Sequence, residues 1–353
     1  MALMDVIGQE RAVNILLRTI QRGRLPSSYL FAGESGIGKK FTAINLVKVL
    51  NCQKTVNSHQ SIVISLKEDK EESEGLSTID YRLIDCCDDC PSCKKIDSGV
   101  HPDFLLVSPE GGQIRIEEIR EIDDVLSFKA FEGRSKAVIV DEADTMNPYA
   151  ANAFLKTLEE PPKDSIIILI SSNPDRLPDT IRSRCSRVSF APLSYDACRK
   201  VLERVISQQS APSPAPQTMA LLARLAMGRP GTAIDRDLLE ERSWFMKLLR
   251  EMLNAMKDGW TSKEEMGRWF DFILILLRDM AILKITHDEK NLINNDLKDY
   301  ISKLSRTMDL KVIIENYQRL NTLKGYFNFN LNMALTWNYT GSLLRRTMDT
   351  IYA

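Results

Sequence analysis

At 353 residues the chain is too long for one ordinary domain, and its 44% hydrophobic residues suffice to bury a core in each of two or three. Charged residues make up 27% but nearly cancel to a formal net charge of −1, which excludes a global pull toward nucleic acid or an anionic membrane. The opening, MALMDVIGQERAVNILLRTIQRGRLP, is amphipathic and charged, unlike a secretory signal, and the run SIIILIS is far too short to span a bilayer, so a cytoplasmic protein with no membrane association is expected.

In chain order, SSYLFAG is a short apolar run ending in glycine, and KFTAINLVKVLN after it has helical character. Residues 53–85 are polar with an acidic centre, KEDKEESE, and read as an insertion projecting from the first domain. DFLLVS, KAVIVDEAD, SIIILISSN and RVSFAPL follow, each an aliphatic run without strict alternation, as strands of a parallel sheet covered on both faces require. RIEEIREIDDVLSFKA and PYAANAFLKTLEE lie between them as helices. This alternation predicts a doubly wound α/β domain with its ligand site at the strand carboxyl ends.

From about Ser194 the strand signals stop. YDACRKVLERVISQQ and QTMALLARLAMG read as helices joined by an exposed SAPSPAP connector, and GRPGTAID as a further break in the chain. From about Leu238 onward, amphipathic segments such as KEEMGRWFDFILILLRDMAIL and LKVIIENYQRLNTL predict an all-helical bundle.

The stretch FAGESGIGKKFTA is nearly a phosphate-binding loop, G-x-x-x-x-G-K-[ST]. Gly33, Gly36, Gly38 and Lys39 supply the backbone nest, the helix N-terminus and the lysine that such a loop aims at phosphates. Lys40, however, stands where a hydroxyl should hold Mg²⁺, and Thr42 lies about 200° around the helix from it and cannot substitute. In AVIVDEAD, Asp141 and Glu142 end an apolar strand, where such sites place a metal-holding Asp and a water-orienting Glu. An ordinary strand–helix turn and a helix-capping Asp are the plainer readings of the two motifs, but both occur together and in the right order.

Seven cysteines are present, and Cys87, Cys90 and Cys93 form a C-x-x-C-x-x-C triplet. Three thiolates at this spacing can converge on one Zn²⁺, and Cys52, at the end of the first-domain helix, supplies the fourth ligand. Thirty-four residues separate Cys52 from Cys87, but a longer loop costs only logarithmically more to close. Cys86 is an alternative partner, and a reduced thiol cluster without metal is the plainer reading. Four protein ligands leave no open position for water, so the zinc would be structural. Cys185 and Cys198 read as buried, inert thiols, and His101 as structural.

HPDFLLVSPEGGQIRIEEIREI, KAVIVDEADTMNPYAANAFLKTLEEPP and NPDRLPDTIRSRC resemble the clamp-loader branch of the AAA+ ATPases, densely from Val6 to about Leu193 and diffusely in the C-terminal helices. The resemblance implies an AAA+ domain over 1–192, with a zinc module at 52–93, a helical lid over 193–236 and a helical collar over 237–353. It makes Ser172 the residue that senses a terminal phosphate and places DVIGQE near an adenine pocket. It makes Arg184, in SRC, an arginine offered in trans to a neighbour's γ-phosphate; a surface arginine in a salt bridge is the plainer reading. Active subunits carry an arginine in a G-S-x-R lid pattern, where this chain has Gly231 in GRPGTA, with Arg229 two positions early. Both departures point to a stator subunit that binds ATP or ADP weakly and joins motor ATPase subunits and a clamp-opening subunit in a hetero-pentamer. That assembly would act on a sliding clamp and primed DNA in DNA replication. The alternatives are an active motor-type ATPase of the same machine, or a zinc-dependent nucleic-acid-binding module, which the neutral charge disfavours.

Overall fold

The computed structural model describes residues 2–54, 85–208, 214–254, 259–327, 329 and 331–348. The acidic insertion therefore lies almost wholly outside the described residues, as does most of the SAPSPAP connector. The chain divides into two compact units, Met1–Val201 with Gly228–Gly231, and Leu202–Met227 with Thr232–Ala353.

The first unit is built on five parallel strands: β1 (Ser28–Ala32), β2 (Phe104–Val107), β3 (Lys136–Val140), β4 (Ser165–Ser171) and β5 (Ser186–Ser189), in spatial order β2-β3-β4-β1-β5. β1 and β3 are buried along their whole length and β4 in all but its first residue, which explains their unbroken apolar sequences. At the edge, β5 exposes Ser186, Arg187 and Ser189 and buries only Val188, so the expectation of a fully covered strand fails there. An edge strand has a neighbour on one side only and tolerates polar residues that a central strand does not.

The helices of this unit are α1 (Glu10–Gln21), α2 (Lys39–Asn51), α3 (Pro91–Asp97), α4 (Ile116–Ser127), α5 (Pro148–Glu159) and α6 (Asp179–Arg182), and α7 (Tyr195–Gln208) begins in it. α5 starts at Asn147, whose side chain accepts from the Ala150 amide at 2.8 Å, with Pro148 at the first helical position. Ile119, Ile122 and Leu126 of α4 and Phe154 and Leu158 of α5 pack with Val138, Val140, Ile167 and Leu169 of the sheet in one core cluster.

The second unit contains only helices among the described residues: the rest of α7, α8 (Pro216–Leu225), most of α9 (Pro230–Asp235), α10 (Leu238–Leu253), α11 (Lys263–Thr286), α12 (Lys298–Thr307), α13 (Leu310–Gly325) and α14 (Met333–Met348), with short 3₁₀ turns. Its core gathers Trp260, Trp269, Phe270 and Trp337, with Trp260 and Trp337 edge to face at 5.0 Å. No helix among the described residues is long and apolar enough to cross a membrane. The segment GRPGTAID does not simply break the chain: Gly228 takes the left-handed conformation (φ +76°), and Pro230 then opens α9. Proline interrupts a helix from within but suits its first turn, where its fixed φ is already helical and no amide bond is lost.

Candidate functional site: phosphate loop, cysteine cluster and Arg184

The parallel order places the ends of β1, β3 and β4 side by side, and the predicted nucleotide residues gather there. Gly33 follows β1, and its amide donates to Ser171 O at the end of β4. A Cβ on Gly33 would stand 2.6 Å from Phe190 O, so only glycine fits this exit from the strand. Gly36 and Gly38 turn the loop with positive φ, and Lys39 begins α2. The Lys39 ammonium folds into the loop and donates to the carbonyls of Gly33 and Glu34. Burial holds Lys39 below the ordinary lysine value, against the attraction of Asp141, Asp144, Glu34 and Glu142.

Lys40 and Asp141 meet directly. The ammonium lies 3.2 Å from Asp141 Oδ2. Thr42 is fully buried, and its hydroxyl donates back to Gly38 O at 2.9 Å, so it stays inside its own helix. Glu142 is exposed and holds a left-handed conformation at φ 48°, uncommon for a residue with a side chain. Ser172 reaches the site at the end of β4, where its amide donates to Asp144 Oδ1 at 3.1 Å.

Three further residues neighbour the loop. Asp144, the last acid of DEAD, anchors the turn after β4 through the Ser172 amide. Arg229, two residues before Gly231, sits 3.6 Å from Glu34. Gln9, in DVIGQE, is buried and donates to Ile37 O and Ala191 O, tying that segment to the loop. Gln9 and Asp144 lie in stretches that carry the resemblance, but neither is assigned a role from the sequence, and Arg229 is read there only as lying two positions before Gly231.

The cysteine cluster forms beside the far end of α2. Cys52 follows Asn51, and Cys90 caps α3. The sulfurs of Cys52, Cys87, Cys90 and Cys93 all lie within 4.8 Å of one another; Cys52 stands 3.5 Å from Cys87 and 4.0 Å from Cys90. Four thiolates about 2.3 Å from one tetrahedral centre would stand about 3.8 Å apart, so these four residues can hold a metal ion. The Cys87 amide donates to Cys52 Sγ and the Cys90 amide to Cys87 Sγ, bonds that favour thiolates. Without a cation, burial and the neighbouring thiols push the Cys87 thiol up to about 11. Cys86 is buried outside the four, beside Asp88.

The module is fastened by Lys48, whose fully buried ammonium pairs with Asp88 and, at 2.9 Å, with Asp97. Burial opposes that charge, but the two carboxylates outweigh it and raise Lys48 above the ordinary lysine value. His101 is structural: Nδ1 accepts from the Asp103 amide and Nε2 bonds Ser92 Oγ, both at 3.1 Å. Cys198 is fully buried, whereas Cys185 is partly exposed, and burial pushes their thiols up to about 11 and about 12.

Arg184 follows α6, and none of its hydrogen bonds goes to the phosphate loop. Its guanidinium donates to Thr180 O at 2.7 Å and pairs with Glu159 at the end of α5. The NAFLKTLEEPP and SRC stretches meet through this pair.

Residues 8–74 and 76–194, just over half of the chain, match the family described as DNA polymerase III, delta subunit. The chain is 30% identical over 335 residues to the DNA polymerase III subunit delta' of Bacillus subtilis, covering 89% of this chain and 91% of that protein. It is 30% identical over 297 residues to the delta' subunit of Pseudomonas aeruginosa, covering 80% of each. Among solved structures, a DNA polymerase III gamma subunit-related protein from Thermotoga maritima aligns over 94% of this chain and 99% of its own at 19% identity, with a TM-score of 0.39. The chain belongs to the delta-prime family of DNA polymerase III clamp-loader subunits.

Proposed function

We propose that this clamp-loader subunit is a stator: its own pocket does not hydrolyse ATP, and its Arg184 completes the pocket of a neighbouring motor subunit. The observation that carries this reading is the 3.2 Å ion pair between Lys40 and Asp141. An otherwise complete phosphate loop has an ammonium where a hydroxyl would hold the metal, and that ammonium occupies the carboxylate that would share the task. Gly231, in place of the lid arginine, removes a second contact to the phosphates. In this reading Ser172, as phosphate sensor, and Glu142, as water-orienting acid, have no reaction to serve without the metal.

The reading extends to the rest of the chain. Cys52, Cys87, Cys90 and Cys93 hold a structural Zn²⁺, supported by their mutual distances and by an all-thiolate donor set, which suits that ion. The AAA+ part spans 1–192, residues 193–236 act as a lid and 237–353 as a collar joining motor and clamp-opening subunits in a hetero-pentamer. The cytoplasm, where such thiols stay reduced, is the compartment that fits. Steady-state ATP turnover by the isolated chain tests the core of this reading. Negligible phosphate release with Mg²⁺ present is expected; robust turnover that Lys39→Ala abolishes would refute it.

A further inference from the structure

The residues around the phosphate loop do not fit the Mg²⁺ that nucleotide sites of this fold carry. In G-x-x-x-x-G-K-[ST] the protein ligand to the metal is the hydroxyl after the lysine, and here that position is Lys40. Mg²⁺ requires near-octahedral oxygen ligands at about 2.0–2.1 Å. With an ammonium 3.2 Å from Asp141 Oδ2, a dication on that carboxylate would stand against a like charge at contact range. The nearest hydroxyl on α2, that of Thr42, is buried and bonded to Gly38 O.

The neighbouring acids are held in different ways. Glu34 has Arg229 at 3.6 Å, and Asp144 accepts from the Ser172 amide. Asp141 is matched by Lys40, while Glu142 is exposed. The buried Lys39 is held by two uncharged carbonyls, which a phosphate oxygen would displace to gain a charge-assisted bond.

We propose that Lys40 is a built-in counter-ion: the pocket takes a nucleoside di- or triphosphate without requiring a divalent cation, because Lys40 stands in for the metal against Asp141. This rests on the reading of a non-hydrolysing pocket and adds what the pocket holds. A tethered ammonium neutralises the strand-end carboxylate without coordinating water, so the same substitution that removes hydrolysis leaves binding in place.

The test is calorimetric titration of the full chain with ATP and with ADP, in excess EDTA and in excess Mg²⁺, with phosphate release followed in the same solutions. The wild-type dissociation constants in the two buffers are expected to agree within about threefold. Lys40→Thr, which restores the hydroxyl at a partly exposed position, should bind at least about tenfold more tightly in Mg²⁺ than in EDTA. Lys40→Met, which removes the charge without adding a ligand, should weaken binding in both buffers. Thermal melts of each variant establish that the fold is retained. Wild-type binding that tightens tenfold or more in Mg²⁺, no wild-type binding in either buffer, or a Lys40→Thr variant indifferent to Mg²⁺ would each overturn the inference. Those outcomes leave the stator reading intact; phosphate release by the isolated wild-type chain is what would sink that reading.

Discussion

The amide of Gly231 donates to the carbonyl of Gly36 at 2.9 Å, so the GRPGTA segment is fastened to the phosphate loop itself. A Cβ on Gly231 would stand 2.8 Å from Gly36 Cα and 3.0 Å from Gly36 O, closer than a side chain can approach backbone. Gly231→Ala is therefore expected to push the two segments apart and destabilise the protein by about 1–3 kcal/mol. Gly267→Ala is the control, because a Cβ there meets nothing within 4 Å. Its helix-interior position in α11 makes that change neutral or stabilising, by up to about 1 kcal/mol. Equal stability changes in denaturant titrations of the two variants would show that the close approach is not enforced.

The Zn²⁺ site proposed for Cys52, Cys87, Cys90 and Cys93 predicts one metal per chain. Elemental analysis of protein prepared without chelators should find about one Zn²⁺. Cys90→Ser should release it and lower the melting temperature, because a structural site contributes its binding energy to folding. Cys86→Ser should keep it. Zinc-free wild-type protein, or a Cys86→Ser variant that loses the ion while Cys90→Ser retains it, would contradict the assignment.

Asp103 gives a pH dependence with a definite sign. The side chain is fully buried and accepts from the amides of Phe131, Glu132 and Gly133 at 2.7, 2.8 and 2.7 Å. Burial alone would raise its pKa; the three amides outweigh it and hold the carboxyl below the usual range. A carboxylate depressed on folding contributes stability that is complete above its unfolded value, about pH 3.9, and is lost as the pH falls from there through the lower folded value. Asp103→Asn should thus flatten the acid limb of the stability curve, and Asp103→Ala should cost about 3 kcal/mol at neutral pH by leaving buried amides unpaired. Acid titrations followed by circular dichroism, with identical limbs for wild type and Asp103→Asn, would contradict this.

What the sequence shows and what it hides are separated by whether the interaction is local. The runs KAVIV and SIIILIS announce buried strands because a sheet covered on both faces leaves no position for a polar side chain. The glycines of the loop and the cysteine triplet are legible for a similar reason, since each acts within a few residues. Neither the pairing of Lys40 with Asp141 nor the seat of Asp103 under the 131–133 amides could be read in this way. Both depend on which strand ends the topology brings together, and no periodicity encodes that. Lys40 could be recognised as foreign to its motif, but not as having a partner. The start of α9 at Pro230 was obscured because Gly and Pro in succession signal a break whether or not a helix follows.

In the helical unit, Asp279 is fully buried on α11 and accepts from the Ile293 amide at 3.2 Å, the Asn294 amide at 2.8 Å, Asn294 Nδ2 at 2.9 Å and Arg278 Nη1 at 2.7 Å. Asp279→Ala strands these donors and should destabilise the unit by about 3 kcal/mol or more. Asp279→Asn, which keeps one acceptor oxygen, should cost less. Denaturant titrations showing no loss in either variant would mean that the 293–294 turn is held by other contacts.

The central claim is that this chain acts on a neighbour's nucleotide rather than its own, and Arg184 tests it most directly. The side chain is partly exposed, and its contacts to Thr180 and Glu159 position it without anchoring the core, so Arg184→Ala should leave folding and assembly intact. Arginines offered in trans contribute about 10³–10⁵ in rate at related phosphoryl-transfer sites. Arg184→Lys should not fully rescue, because an ammonium lacks the planar fork that spans phosphate oxygens. The measurement is steady-state ATP hydrolysis, with clamp loading onto primed DNA, by loaders reconstituted with wild-type or Arg184→Ala chain at equal assembly. The account predicts a clear fall in both; unchanged hydrolysis and unchanged loading would show that Arg184 is a surface charge and that the subunit contributes architecture alone.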